Sequence, residues 1–329
     1  MAKKAIYLVL DCETATLPFI KELCVTEKER KNIAVSRPII YDIGWTLFQR
    51  DGTILKRASY LVQETFFVPQ VFDTAYYRAK RPIYMEKLSH GEIKAALWND
   101  IAAELLADCQ SAAWVAAYNA QFDYKKAIPF TERYIKALYS DDFDKFVRGQ
   151  KWYLTSGKSK KKPNTYCKAD NEHFIFRGEK FDLVDLWRAA SEQLNVFGYK
   201  NDCAEFPAIS NSGMYFKTSA EQVFRYIDKN YDFNEAHTAL EDAEIETQIL
   251  LMLFKRKKKI EKGIVAFPFK ALGTTADFLN NPRFRNKIST HAVENVRDAM
   301  KKYLDGAPAS TFAVQIQNQL SILENLIED

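Results

Sequence analysis

The sequence predicts an α/β domain, built on a mixed sheet flanked by helices, that is followed by a helical C-terminal appendage. Ala5–Leu10 is an unbroken apolar run, typical of a central strand that is buried on both faces. Ile43–Phe48 and Ile54–Val62 are further strand candidates, and the Asp51-Gly52 pair between them favours a hairpin. Later segments alternate between helical and strand-like apolar spacing, which is typical of an α/β domain.

The remaining elements follow from the same spacing. Strands are predicted at Ala113–Ala117, Phe174–Phe176 and Lys180–Val184. Helices are predicted over about 91–109, from residue 123 to about Leu138, and at Asp185–Leu194, Ser219–Lys229 and Thr238–Lys255.

We expect a first domain of residues 1–260 and a helical extension of residues 261–329. The Lys-rich stretch 149–171, with its Gly and Pro residues, is interpreted as a surface insertion of the first domain. Gly263–Asn281 is interpreted as a loop, and Thr290–Tyr303 and Thr311–Ile327 as two amphipathic helices. The apolar face of the last helix either packs within the chain, which is the default expectation, or binds a partner.

Composition restricts the class of protein. Hydrophobic residues make up 47% and charged residues 27%, as in an ordinary soluble globular protein, and the net charge of +4 fits a polyanionic partner without requiring one. Five scattered cysteines without a CxxC pair argue against a zinc knuckle or a disulfide framework and favour a reducing compartment. The apolar run before Asp11 is too short for a signal peptide, and no segment has the length of a membrane span. We therefore expect a soluble, cytoplasmic protein with no membrane contact.

The first chemical motif is Asp11-Cys12-Glu13-Thr14, which directly follows the first apolar run. Residues two apart in a strand lie on the same side, so both carboxylates face one point. At about 5 Å and an effective dielectric of about 20, such a pair repels by roughly 3 kcal/mol. Either a divalent metal or simple exposure at a strand end explains this pair.

The second motif, Asn119-Ala120-Gln121-Phe122-Asp123, lies where a strand changes to a helix. An N-cap role for Asp123 is the ordinary structural explanation. The third motif runs from His237 to Asp242 at the start of a long helix. Its ordinary explanation is a surface helix with several acids, because Glu241, Glu244 and Glu246 are adjacent.

Together, the patterns DxET, N-A-x-F-D and H-x4-D resemble the DEDDh family of 3′→5′ exonucleases. That family includes the proofreading subunit of bacterial replicative polymerase, oligoribonuclease and RNase T. The resemblance covers roughly residues 4 to 256 and implies an RNase H-like fold with a five-stranded mixed sheet.

The resemblance also implies a role for each motif residue. Asp11, Glu13, Asp123 and Asp242 correspond to the carboxylates that hold two Mg²⁺ or Mn²⁺ ions, and oxygen ligands suit these hard cations. His237 corresponds to the general base, and its ordinary pKa near 6.5 suits proton transfer near neutral pH. The five residues are the predicted catalytic set.

Substrate contacts are implied as well. The backbone near Thr14 would hold the terminal nucleotide, although the Thr-Thr-Gly that is frequent in the family reads Thr14-Ala15-Thr16 here. Leu17 resembles the apolar wedge against the last bases. Asn119 and Phe122 of the second motif are further candidate contacts, with core packing as the alternative for Phe122. Tyr118 stands where a histidine is frequent.

A basic stretch supplies the last candidate contacts. Lys158, Lys160 and Lys161 lie near aromatic residues, a combination that suits single-stranded nucleic acid. A solvated loop is the alternative. We therefore expect hydrolysis of single-stranded DNA from the 3′ end, with an exoribonuclease as the alternative and a non-catalytic nucleic-acid-binding or polymerase-associated module as the alternative of another class. A polymerase or replication partner bound by the C-terminal extension is an analogy with the proofreading subunit.

Overall fold

The computed structural model describes residues 4–18, 37–155, 170–194, 197–256, 259–265, 268 and 272–328, with the backbone alone at 151–155 and 328. The chain divides into two compact units. The first comprises Met1–Leu186, Glu235–Leu251 and Ile260–Ile264, and the second comprises Trp187–Asn234, Met252–Lys259 and Val265–Asp329. The division into domains at residue 260 stays a prediction.

One mixed sheet of seven strands lies in the first unit. In chain order the strands are β1 (Ile6–Ala15), β2 (Ile39–Gln49), β3 (Ile54–Val62), β4 (Lys94–Ala96), β5 (Val115–Ala117), β6 (His173–Phe176) and β7 (Glu179–Asp185). Their spatial order is β4-β3-β2-β1-β5-β7-β6. The neighbours β1 and β2, β2 and β3, and β6 and β7 are antiparallel, while β1 and β5, β5 and β7, and β3 and β4 are parallel.

The helices complete the described secondary structure. In chain order they are α1 (Gln63–Phe66), α2 (Pro69–Phe72), α3 (Arg81–Ser89), α4 (Trp98–Ser111), α5 (Ala120–Phe122), α6 (Ile128–Leu138), α7 (Phe143–Thr155), α8 (Leu186–Gln193), α9 (Phe197–Glu205), α10 (Ala220–Asp228), α11 (Ala239–Lys255), α12 (Thr275–Leu279), α13 (Thr290–Gly306) and α14 (Thr311–Glu328). A π-helical turn, Asp123–Ala127, joins α5 to α6.

The α/β class with a mixed sheet and flanking helices is confirmed. The sheet has seven strands, whereas six segments are predicted as strands and the family resemblance implies a sheet of five. Strand β4 extends one edge, and the hairpin strand β6 extends the other. The segment of β4 is predicted to be helical, within residues 91–109. It pairs instead with Tyr60–Val62 of β3, and the helix begins only at Trp98. Backbone pairing with the edge of β3 outweighs the local helical spacing here.

Strand β1 separates two environments by the alternation of its side chains. Leu8, Leu10 and Cys12 belong to the main hydrophobic cluster, which also contains apolar side chains of α4 and α6. Asp11 and Glu13 lie on the opposite face, where their partners on β2 are Gly44 and Asp42. The strand predicted to end at Leu10 continues to Ala15, with a shift in register after Glu13. The sheet therefore places both acids of the first motif on one face.

Helix α11 packs on that face at short range. A Cβ atom built on Gly44 would lie 2.2 Å from the backbone nitrogen of Leu240. The backbone N–H of Ala239 donates to Asp42 at 2.9 Å, and the hydroxyl oxygens of Thr46 and Thr247 are 2.6 Å apart. These contacts fix the first turns of α11 on β2, next to the acids of β1.

The second unit contains α9, α10, α12, α13 and α14. The two predicted C-terminal helices are present, as α13 and α14. Packing of α14 within this unit buries Ile316, Leu320 and Leu323. Gly263–Asn281, interpreted as a loop, includes the short helix α12, because Thr274 caps its first turn and Phe278 is buried.

The predicted insertion 149–171 is only partly visible. Helix α7 extends to Thr155, so the beginning of the stretch is helical, and its interpretation as an insertion stays a prediction. Residues 156–169, including Lys158, Lys160 and Lys161, lie outside the described residues. In the part of the chain that the structure describes, every helix is too short or too polar to cross a membrane.

The close approach at Gly44 gives the first prediction. We expect Gly44→Ala to destabilise the protein by at least about 1–3 kcal/mol, the usual cost of overpacking, because backbone atoms of α11 occupy the position of the new methyl group. Urea unfolding followed by circular dichroism measures the change. Gly149→Ala, where a Cβ meets nothing within 4 Å, is the control and should be neutral or stabilising. Equal stability of the two variants would contradict the packing of α11 on Gly44.

Candidate active site

The second motif forms a sharp turn from β5 into a helix. Asn119 has a left-handed backbone conformation, with φ of 69°, and α5 begins directly after it. Asp123 therefore lies inside a helical turn, where it does not cap the helix. Cys12 of β1 hydrogen-bonds to Asp123, which brings this acid to the central strand.

The third motif is held by its backbone. His237 has a φ of 52°, which few non-glycine residues adopt, and its carbonyl accepts a hydrogen bond of 3.4 Å from the Tyr84 hydroxyl. Asp42 then accepts from Ala239 at the start of α11. As a result His237 precedes the helix, and Asp242 lies buried in its first turns.

The first and third motifs meet in space. Ligand atoms of Glu13, His237 and Asp242 all lie within 4.8 Å of one another. The Nδ1 atom of His237 is 3.9 Å from Asp242 Oδ2 and 3.6 Å from Glu235 Oε2. Residues more than 220 positions apart in sequence thus form one cluster of oxygen and nitrogen donors.

Asp11 and Asp123 belong to the same electrostatic environment. Burial, followed by the charges of Asp123 and Asp42, raises the pKa of Asp11 well above its ordinary value. Burial and the charges of Asp11 and Asp242 raise the pKa of Glu13 in the same way, although Lys80 lowers it. Burial is likewise the main reason that the pKa of Asp123 is raised.

Asp242 is the fourth predicted carboxylate ligand, and its pKa is raised as well. Burial, followed by the charges of Asp11 and Glu235, raises its pKa to about 9. Among the described residues, one buried oxygen of Asp123 and one of Asp242 have no hydrogen-bond partner. Unpartnered buried oxygens and mutually repelling carboxyls are the properties expected of a cation site.

Glu246 and Asp42 are among the buried acids that were not predicted, and the charge of each acts on the predicted residues. Glu246, grouped in the sequence with surface acids, is only 2% exposed and accepts a hydrogen bond of 2.9 Å from the backbone N–H of Tyr118. Glu246 follows Asp242 by four residues, which places both on the same side of α11. This spacing could have identified Glu246 from the sequence. Asp42 lies opposite Glu13 in the sheet, and this pairing depends on a register that the sequence does not reveal.

The predicted substrate contacts lie in different environments. Thr14 is half-buried at the end of β1, and Asn119 is exposed. Leu17 is buried in the main hydrophobic cluster, and Phe122 packs against that cluster. Core packing accounts for these two apolar side chains, and their contact with nucleotides stays a prediction.

Comparison of the chain with protein-family models, with curated proteins and with solved structures finds no match in any of the three.

The raised pKa values predict how stability depends on pH when no metal is bound. A carboxyl whose pKa is higher in the folded state keeps its proton there after the unfolded chain has lost it. Its stabilising effect is complete below the unfolded value of about 4 and is lost as the pH rises through the folded value, about 9 for Asp242. We expect metal-free protein to unfold at lower temperature at pH 8 than at pH 5, and Asp242→Asn to be more stable than the wild type at pH 8.

Thermal unfolding in EDTA measures this difference. Glu244→Gln is the matched control, because Glu244 lies on the same helix, is partly exposed and pairs with Arg57. If Asp242→Asn were less stable than the wild type at pH 8, repulsion within the cluster would not be the dominant effect.

Proposed function

We propose that the chain is a metal-dependent 3′→5′ exonuclease of the DEDDh family that hydrolyses single-stranded DNA. The proposal depends on one observation: the ligand atoms of Glu13, His237 and Asp242 lie within 4.8 Å of one another. The sequence motifs have separate structural explanations when each is taken alone, but none of those explanations requires the motifs to meet. Their meeting, with Asp11 and Asp123 electrostatically coupled to them, supports a shared chemical role.

The donor set fits divalent cations. Four carboxylates and an imidazole are present, and hard cations such as Mg²⁺ and Mn²⁺ take oxygen ligands. Asp11, Glu13, Asp123 and Asp242 would hold two ions, and their crowding would then be stabilising rather than repulsive. Bound ions supply Lewis acidity, which lowers the pKa of water and offsets the charge that develops on phosphate oxygens.

His237 is suited to the role of general base. Its side chain is 32% exposed, so water and substrate can reach it, whereas Asp242 is buried. In the proposed reaction the imidazole accepts a proton from the water whose oxygen attacks the terminal phosphorus. The bond from phosphorus to the 3′-oxygen of the preceding nucleotide breaks, and its electron pair stays on that oxygen, which takes up a proton from water. A nucleoside 5′-monophosphate leaves, and the shortened strand ends in a 3′-hydroxyl. Glu235 and Asp242, both within 4 Å of Nδ1, would stabilise the protonated imidazole.

The sheet supports the implied fold class. Its five central strands, β3-β2-β1-β5-β7, form a mixed sheet, and β4 and β6 are short additions at the edges. An RNase H-like domain with these additions is the fold that we propose. Asp11 and Glu13 lie on β1, at the centre of this five-stranded part.

The substrate and its context are further parts of the proposal. Single-stranded DNA is the substrate that we propose. An exoribonuclease is the alternative, because the five motif residues suit either sugar. A polymerase partner of the C-terminal extension and a cytoplasmic location also remain proposals. Cys12, Cys109 and Cys203 are free and buried within the described chain, which is compatible with a reducing compartment.

Digestion of 5′-labelled single-stranded DNA, duplex DNA and RNA, in parallel with Mg²⁺ or Mn²⁺, tests the function. We expect products that shorten from the 3′ end, fastest on single-stranded DNA, and no cleavage in EDTA. Asp11→Asn and Asp242→Asn should abolish cleavage, since each removes a metal-ligating charge.

Glu244→Gln is the control for Asp242→Asn and should keep wild-type activity. Cleavage by Asp242→Asn at the wild-type rate would refute the assignment of the site. Binding of single strands without any cleavage would favour the non-catalytic module, and faster digestion of RNA would favour the exoribonuclease.

A further inference from the structure

An aromatic side chain outside the three motifs covers the imidazole of His237. The rings of Tyr77 and His237 are nearly parallel, with centroids 4.5 Å apart and an interplanar angle of 14°. Close parallel stacking limits how far either ring can rotate or tilt. The orientation of His237 is thus restricted by a residue that the sequence motifs do not include.

Tyr77 is itself held in place by its neighbours. The ammonium group of Lys80 lies 5.0 Å from the Tyr77 ring centroid, and it also donates to the carbonyl of Ala236, next to His237. The Tyr76 ring contacts Tyr77 edge-on, with centroids 4.8 Å apart. Three side chains therefore contact the Tyr77 ring, which leaves little of it for a nucleotide base.

The segment that carries Tyr77 is also fixed to the first motif. The Thr74 hydroxyl accepts a hydrogen bond of 2.8 Å from the backbone N–H of Thr16, and it lies 2.9 Å from the Thr16 carbonyl oxygen. Tyr84, further along the same segment, donates to the carbonyl of His237. Residues 74–84, which we call the brace, therefore join the end of β1 to the loop before α11.

The brace restrains the position of His237. This residue lies before the helix rather than in it, has a left-handed φ of 52°, and has a partly exposed side chain. Left-handed conformations are disfavoured for a residue with a Cβ and persist where the surroundings hold them. Stacking on one ring face and a hydrogen bond to the carbonyl are such restraints.

We propose that Tyr77 is the positioning residue for His237: its ring holds the imidazole in the orientation that places Nδ1 beside Asp242 and Glu235. The inference rests on the proposed function and adds a residue to it. Tyr77 acts through His237 and exchanges no proton, so an aromatic ring is required at this position and a hydroxyl is not.

Steady-state kinetics on single-stranded DNA with Mn²⁺ tests the proposal. Tyr77→Leu should lower kcat by about 10- to 100-fold, the range expected when a reacting group is misplaced by up to about 1 Å, and leave KM unchanged. Tyr77→Phe should restore kcat to the wild-type level. His237→Ala gives the rate without the base, about 10²- to 10⁴-fold below the wild type. A wild-type kcat for Tyr77→Leu, or a failure of Tyr77→Phe to restore kcat, would overturn the proposal.

A second measurement is independent of activity. In wild-type protein labelled with ¹³C at histidine Cε1, the ring current of Tyr77 should shift the His237 signal, which is assigned by its loss in His237→Ala. Tyr77→Leu should move this signal and Tyr77→Phe should not. Tyr139→Leu, which removes an exposed tyrosine ring outside the brace, is the control and should leave the signal unmoved. If the wild type lacked nuclease activity, the proposed function would fail while the stacking remained testable. An unmoved signal in Tyr77→Leu would refute the stacking itself.

Discussion

Asp11 and Glu13 lie on one face of β1, Asp242 on α11 lies beside Glu13, and Asp123 hydrogen-bonds to Cys12 of the same strand. Burial and like charges raise the pKa of each of these four acids. Two carboxylates at about 5 Å repel by roughly 3 kcal/mol at an effective dielectric of about 20, so several such pairs are a large cost for one domain. A divalent cation removes this cost, because it converts repulsion among the acids into attraction to a common centre. The metal requirement and the chemistry that we propose, and the pH dependence that we predict, all follow from this crowding.

Two features of the fold bring the acids close together. Alternation along β1 places two acids on one face, and the absence of a side chain at Gly44 allows α11 to touch β2. Asp42 holds the first backbone N–H of α11, so the helix begins where Asp242 faces the strand. The position of Asp242 thus depends on backbone contacts between α11 and β2. His237 lies outside the helix, and we propose that its orientation depends on stacking with Tyr77.

Local periodicity made part of the site predictable. Strand alternation alone places Asp11 and Glu13 on the same side of β1. His237 and Asp242 are five residues apart at the start of one helix. Both placements could therefore be predicted from a few neighbouring residues. Tyr77 and Asp42 could not be found in this way, because stacking and strand register join residues that are distant in sequence. The edge strand β4 was predicted to be helical for a similar reason: its neighbour in the sheet, not its own spacing, determines its structure. Glu246 could have been found from its position one helical turn after Asp242.

Manganese binding tests the central claim, that these acids form a cation site, most directly. Isothermal titration calorimetry of the metal-free protein with Mn²⁺ near pH 7.5 should show two bound ions for each chain, with binding weakened or lost in Asp11→Asn and unchanged in Glu244→Gln. Absence of Mn²⁺ and Mg²⁺ binding by the wild-type protein, or equal binding by Asp11→Asn, would contradict the account.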